Sequence, residues 1–264
     1  MKNIIIVGDP IEDIYATVEN GKTLEAQTVA GGALNVLLNT KQLLSATESF
    51  NGIIFIPEIL STNKYLYKIL RMNNEEDIHL CETSKRENYY SNLKYEIQRQ
   101  LNLAIEKSSE DSTIIFSDYN KGVLTQPCPR YKGLRKIKTA IIDSKYRSIH
   151  SHFFNYAEKY ILRCTGKEYC PKFANKFDFT IWTDGPKPVV LLGRNQEILN
   201  VFEVPDVPPI DTCGAGDTFT ATLASFIHEK GFSYSNIERA IELSIKSSLS
   251  VICKKRTSIT NIKI

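Results

Sequence analysis

An excess of charge of one sign is missing. The 33 Lys and Arg face 30 Asp and Glu, which leaves +3 across 264 residues. Without a large basic field, no nucleic-acid partner is expected. Long apolar runs are also missing. None approaches the roughly 20 residues that a bilayer-spanning helix needs, so no membrane segment is expected. The opening MKNIIIVGDPIED turns acidic after a short apolar run, without the h-region or cleavage site of a signal peptide. It reads as a buried strand. Paired cysteines are absent: the six, at 81, 128, 164, 170, 213 and 253, form no CxxC. The four histidines show no ligand spacing beyond His150-x-His152. Reduced thiols in a cytoplasmic protein are the expectation. There is no internal repeat, low-complexity segment or inter-domain linker. The length suits a single domain, residues 1–264, with a small appendage.

What is present alternates. NIIIVGD, GIIFI, STIIFSD, TAIIDSK, KYILRC, FTIWTDG, PVVLLG and ILNVFEVP read as short strands. GGALNVLLNTKQLL, TNKYLYKILRM, a segment ending NLAIEKSS, Thr218 to Lys230 and about Ser235 to Cys253 read as helices. Lys94 to Gln98 reads as an exposed strand. Two β-prone runs around ENGK predict a hairpin at about 14–29, because Asn-Gly suits a two-residue turn. The pattern predicts a three-layer, Rossmann-like α/β fold: a mostly parallel sheet, helices on both faces, and a small β lid. In such sheets ligands sit beyond the carboxyl ends of the strands. Asp9, Asp118, Asp143 and Thr183-Asp184 fall at those ends.

One stretch concentrates the chemistry. IDTCGAGDTFTATLASFIHEKG, Ile210 to Gly231, sets Gly-Ala-Gly-Asp directly before an apolar-periodic run. The first N–H groups of a helix lack intrahelical partners and carry the positive end of its dipole. Gly214, Ala215 and Gly216 can therefore form an anion cradle, with Asp217 at its rim as a proton acceptor. A helix-entry turn with Asp217 as a mere cap is the structural alternative.

The longer string DTCGAGDTF resembles the C-terminal signature of the ribokinase-like carbohydrate kinases, also called the phosphofructokinase B family. GGALNVLLN, Gly31 to Asn39, resembles the family's sugar-contacting glycine motif. GDPIEDIY resembles its Gly-Asp-x-x-x-Asp opening. The order and spacing of the three agree, so the resemblance spans nearly the whole chain. FSDYNKGVL, IIDSK and RTSIT are similar to segments of the D-glycero-D-manno-heptose 7-phosphate kinases.

The resemblance implies transfer of the γ-phosphoryl of ATP to a hydroxyl of a sugar or sugar phosphate, heptose 7-phosphate-like. It makes Asp217 the base and Gly214, Ala215 and Gly216 the stabilisers of the transferred group. Asp13, Gly31, Gly32 and Asn35 would hold sugar hydroxyls. Asp118 and Lys121 would face the same cleft, with Lys121, like Lys145 and Arg147, suited to phosphate. Thr165 and Glu168, in TGKE, stand for the family's Asn-x-x-Glu, whose glutamate organises hydrated Mg²⁺. Thr183 and Gly185, in TDGPKP, stand for its nucleotide loop, with Pro188 where a second glycine is usual.

The chain also departs from the family. The stretch between Asp13 and Gly31 is shorter than in the heptose kinases. Ile245 and Arg256 alter residues expected near the adenine. A kinase for another sugar or a nucleoside, or a catalytically impaired regulatory relative, is the alternative. The lid is expected from about 14–30 and 85–100. Its apolar residues Ile14, Val18, Leu24 and Val29 suggest a homodimer formed through it.

Overall fold

β1 (Ile4–Gly8) is a run of apolar residues ending in glycine, and all five are buried. A strand apolar at every position belongs inside a sheet covered on both faces. The structure is a computed structural model that describes residues 1–19, 22–56, 67–72, 76–78, 86–124, 136–145, 151–169 and 171–264. In it, β1 pairs in parallel with β4 (Ile53–Ile56) on one side and β7 (Thr113–Asp118) on the other. β8 (Ile137–Ser144), β9 (Ala157–Cys164) and β10 (Phe179–Trp182) continue in parallel. β11 (Val189–Leu192) and β12 (Ile198–Phe202) close that edge antiparallel. The eight-stranded order is β12-β11-β10-β9-β8-β7-β1-β4.

Alternate residues of these strands feed two cores. On one face Ile4, Ile6, Ile115, Ile141, Ile161 and Ile181 meet three helices. These are α1 (Gly32–Leu43), α3 (Ala215–Lys230) and α4 (Tyr234–Ile252). On the other, Ile5, Val7, Ile114, Phe116 and Ile142 meet α2 (Arg86–Lys107) through Ile97, Leu101 and Ile105. A short 3₁₀ segment (Ser151–Asn155) adds Phe153 to that second core, and Phe177 joins it just after another (Pro171–Lys176). The three-layer α/β arrangement expected from the strand pattern is the one observed.

A four-stranded sheet stands apart, in the order β3-β2-β5-β6. β2 (Pro10–Glu19) and β3 (Lys22–Gly31) are antiparallel, with Glu19 opposite Lys22 across the Asn-Gly positions. The hairpin is thus longer at both ends than the expected 14–29. β5 (Tyr67–Met72) pairs in parallel with β2, and β6 (Glu76–Ile78) antiparallel with β5.

Two expectations are corrected. TNKYLYKILRM reads as a helix, yet residues 67–72 are strand, and 62–66 lie outside the described residues. The exposed edge of β2 offers unpaired backbone groups, and pairing there outweighs the helical pattern. Lys94 to Gln98 reads as a strand, yet it lies within α2. Ile97, Leu101, Ala104 and Ile105 recur at helical spacing and bury one face, which decides for the helix. The small sheet therefore takes its second half from residues 67–72 and 76–78, while residues 86–100 of the expected 85–100 lie in α2. Of the expected apolar lid face, Ile14 and Val29 are half-buried, while the side chains of Val18 and Leu24 lie outside what is described.

Candidate functional site

The strand order reverses at β1, which lies between β4 and β7, and such a switch point opens a crevice at the strand ends. Asp9 sits there, directly after β1. Its carboxylate accepts the N–H groups of Tyr119 (2.8 Å), Lys121 (3.1 Å) and Val123 (2.9 Å), fixing the loop after β7. Burial, and then the Asp118 charge, push the Asp9 carboxyl up to about 6 despite these bonds. Asp118 is also buried. Its carboxylate accepts the Asn120 N–H (2.9 Å) and the Ser144 hydroxyl (3.1 Å), so it builds the turn that presents half-buried Lys121.

α3 opens after Gly214, whose φ is +82°. A Cβ there would stand 2.6 Å from Asn35 Nδ2 and 2.8 Å from a Thr257 methyl, so both backbone and space require glycine. The Ala215 N–H turns back to the Thr212 carbonyl at 3.3 Å. Asp217 follows in the first turn and is buried. Its Oδ1 accepts the Tyr119 hydroxyl at 2.5 Å, and its Oδ2 accepts Asn35 Nδ2 at 3.2 Å. Asn39 Nδ2 donates to Asn35 Oδ1 at 2.9 Å and so orients that amide. Burial raises the Asp217 carboxyl to about 6, against the lowering pull of Lys145, Tyr119 and Asn35. Burial, and then the Asp217 charge, also push the Tyr119 phenol well above its ordinary value.

A second cluster adjoins the first. Asp143 Oδ1 accepts Lys145 Nζ (2.7 Å) and Arg163 Nη1 (3.3 Å), and its Oδ2 accepts the Thr220 hydroxyl (2.7 Å). Burial opposes charge on Asp143, but Lys145 and Arg163 hold its carboxyl below the ordinary value. Lys145 Nζ lies 5.3 Å from the centre of the Tyr119 ring, which joins the clusters.

The small sheet reaches the same place through Asp13. Its Oδ2 accepts the Thr257 hydroxyl at 3.0 Å, and Gly31 lies against the carboxylate. The Tyr15 hydroxyl accepts the Thr257 N–H at 3.2 Å. Asp13, Thr257, Gly214, Asn35, Asp217 and Tyr119 thus form one connected set, and Gly32 begins α1 beside it.

The remaining expected residues lie along the same row of strand ends. After β9, Glu168 Oε2 accepts the Thr165 N–H at 2.8 Å. After β10, the Thr183 hydroxyl is buried without a hydrogen-bond partner among the described residues. Gly185 follows in an exposed turn. Ile245 is packed in the core. Arg256 donates its N–H to Asp211 Oδ2 (3.0 Å), with its guanidinium 5.9 Å from the Tyr15 ring centre. Residue 147 lies outside the described residues. Among the described residues no group of three or more His, Cys, Asp or Glu is placed to hold a metal ion. No described helix is long and apolar enough to cross a membrane.

Sequence reasoning did not single out Tyr119, Arg163 or Thr257. Tyr119 meets Asp217 across 98 positions of chain, which no local pattern reports. Arg163 carries a signal, being a charged residue within the buried YILRC stretch of its strand.

Comparison with solved structures gives the same fold. Ribokinase from Thermotoga maritima is 16% identical, with 99% of this chain and 97% of that chain covered at a TM-score of 0.62. Ribokinase from Giardia lamblia is 13% identical, with 99% and 97% covered at 0.66. Aminoimidazole riboside kinase from Salmonella enterica, solved with aminoimidazole riboside and an ATP analog, is 15% identical, with 97% of each chain covered at 0.63. No protein-family model and no curated protein matches the chain. The fold is ribokinase-like.

Proposed function

We propose that this chain is a sugar kinase that moves the γ-phosphoryl of ATP to a hydroxyl of a sugar or sugar phosphate of the heptose 7-phosphate type. One observation carries the reading. A buried carboxylate with its pKa pushed up to about 6 stands in the first turn of α3, within hydrogen-bond reach of Asn35. Asp217 is then mostly ionised at neutral pH yet basic enough to take a proton. Each carboxylate oxygen has two lone pairs, so an acceptor hydroxyl can join Tyr119 or Asn35 there.

In this mechanism the acceptor O–H gives its proton to Asp217 as its oxygen bonds to the γ-phosphorus. The bond from that phosphorus to the β–γ bridging oxygen breaks, and its electron pair leaves on ADP. Gly214 and Gly216 stabilise the migrating phosphoryl with helix-terminal N–H groups and the dipole, and Ala215 joins them by turning its N–H from the Thr212 carbonyl. Asp13, Gly31, Gly32 and Asn35 hold the acceptor hydroxyls. Lys121 meets an acceptor phosphate, on the loop that Asp9 and Asp118 build.

Thr165, Thr183, Gly185 and Lys145 serve the nucleotide. The unpartnered Thr183 hydroxyl and the cations beside α3 suit phosphate oxygens. With no ligand cluster among the described residues, Mg²⁺ held mainly by phosphates and water fits, with Glu168 reaching it through water. When bound, the ion offsets phosphate charge. The chain acts as one domain, the small sheet closes over the acceptor as a lid, and two copies pair through it.

The Tyr119 hydroxyl on Asp217 favours a second reading, a sugar-phosphate-binding relative with little turnover. A phosphate-transfer screen with ATP and Mg²⁺ across sugars, sugar phosphates (heptose 7-phosphate among them) and nucleosides separates the two. Transfer is expected, greatest with a phosphorylated sugar. Nucleotide binding without transfer to any acceptor would favour the second reading, and preference for a nucleoside would replace the acceptor named above.

A further inference from the structure

We infer that Arg163 is a phosphoryl-holding residue, clasping the migrating group together with the opening turn of α3. The inference rests on the kinase reading and adds to it a cation that the family motifs do not mark.

Arg163 lies near the carboxyl end of β9 between Leu162 and Cys164 and is only 7% exposed. A guanidinium carries five N–H donors and is costly to bury unless they are met. Here Nη1 reaches Asp143 at 3.3 Å, while Nε is buried with no partner among the described residues. A structural Arg–carboxylate pair would use the planar fork on both oxygens. Asp143 instead gives its second oxygen to Thr220 and shares its first with Lys145, at the shorter 2.7 Å. Two cations therefore share one carboxylate, and Arg163 is in excess of what Asp143 needs.

Its donors face the helix opening. Nη1 and Nη2 lie 3.0 and 3.1 Å from where a Cβ on Gly216 would stand. A side chain at 216 would push the guanidinium away, which explains the second glycine of Gly-Ala-Gly-Asp without invoking its backbone angles. The Nη1 and Nη2 fork and a helix N-terminus meet at Gly216, on a buried guanidinium whose Nε has no partner among the described residues. A phosphoryl group has the charge, size and acceptor oxygens to satisfy them together. In the transition state charge is spread over the three equatorial oxygens of the migrating group, and a fixed Arg there stabilises it and accelerates transfer strongly.

The test uses the full chain, with Arg163→Met and Arg163→Lys. Calorimetric titration with ADP and with a non-hydrolysable ATP analogue, plus acceptor-saturated kcat, gives the readouts. Loss of the Arg should leave ADP affinity within about twofold, weaken the ATP analogue roughly tenfold, and lower kcat on the order of 10³-fold. Arg163→Lys keeps the charge without the fork, so it should recover part of the analogue affinity and kcat. If Arg163→Met does not fold, Arg163→Lys alone decides by the ratio of ADP to analogue affinity. Equal losses for both nucleotides, or no loss, would overturn the role of Arg163 while leaving the kinase reading intact. Failure of the unaltered protein to bind either nucleotide would overturn both.

Discussion

Asp217 carries a penalty that its position imposes. A carboxyl raised from 3.8 to about 6 by burial binds its proton more tightly folded than unfolded. The folded state holds more protons between those values, so this group's contribution to stability falls as pH rises from about 4 to about 6. Asp9 is raised to about 6 and acts in the same direction. The usual surface aspartate does the reverse. Asp217→Asn should therefore abolish most turnover yet unfold no more easily at pH 7, gaining about 1 kcal/mol as the buried charge disappears. Thermal melts at pH 4, 5, 6 and 7 check this, and a variant markedly less stable at pH 7 would contradict it. Tyr119 lowers the Asp217 carboxyl through its hydrogen bond. Tyr119→Phe should thus move the acidic limb of the kcat/KM profile upward from its position near pH 6. An unmoved limb would mean that another group titrates there.

At the scale of one element, α3 depends on how it begins. Gly214 and Gly185 both have positive φ, +82° and +58°, but a Cβ on Gly185 would meet nothing within 4 Å. Gly185→Ala should cost about 1 kcal/mol for the left-handed backbone alone. Gly214→Ala adds collision with Asn35 and Thr257 and should cost about 2 kcal/mol more. Equal losses in paired denaturant melts would show that Asn35 and Thr257 yield freely. This turn was legible in the sequence because its residues are contiguous and their conformational demands are local. The opposite case is β5, whose run TNKYLYKILRM carries a helical pattern. Pairing with β2 decided its state, and that neighbour is remote along the chain.

Across the whole molecule, the small sheet is tied to the segment after α4 through Thr257. That residue bonds both Asp13 and Tyr15 of β2. Thr257→Val removes the hydroxyl at nearly constant volume and should cost about 1–2 kcal/mol. Hydrogen exchange should quicken in residues 10–31 while the buried strand β7 keeps its protection. Uniform quickening, or none, would show that the tie does not govern the small sheet.

The strands and helices of the large sheet layer other than α2, the strand-end aspartates and the glycine-rich entry to α3 followed from sequence alone. Apolar period and turn chemistry act over a few residues, and the chain displays them directly. Tertiary structure decided the rest: that Tyr119 covers Asp217, that the Arg163 guanidinium meets Gly216, that Thr257 links Asp13 to the α3 turn, and that residues 67–72 and 76–78 join the hairpin. Each of these brings together groups far apart in the chain. Such contacts exist only once the sheet order places the strand ends side by side, and no local period encodes that order.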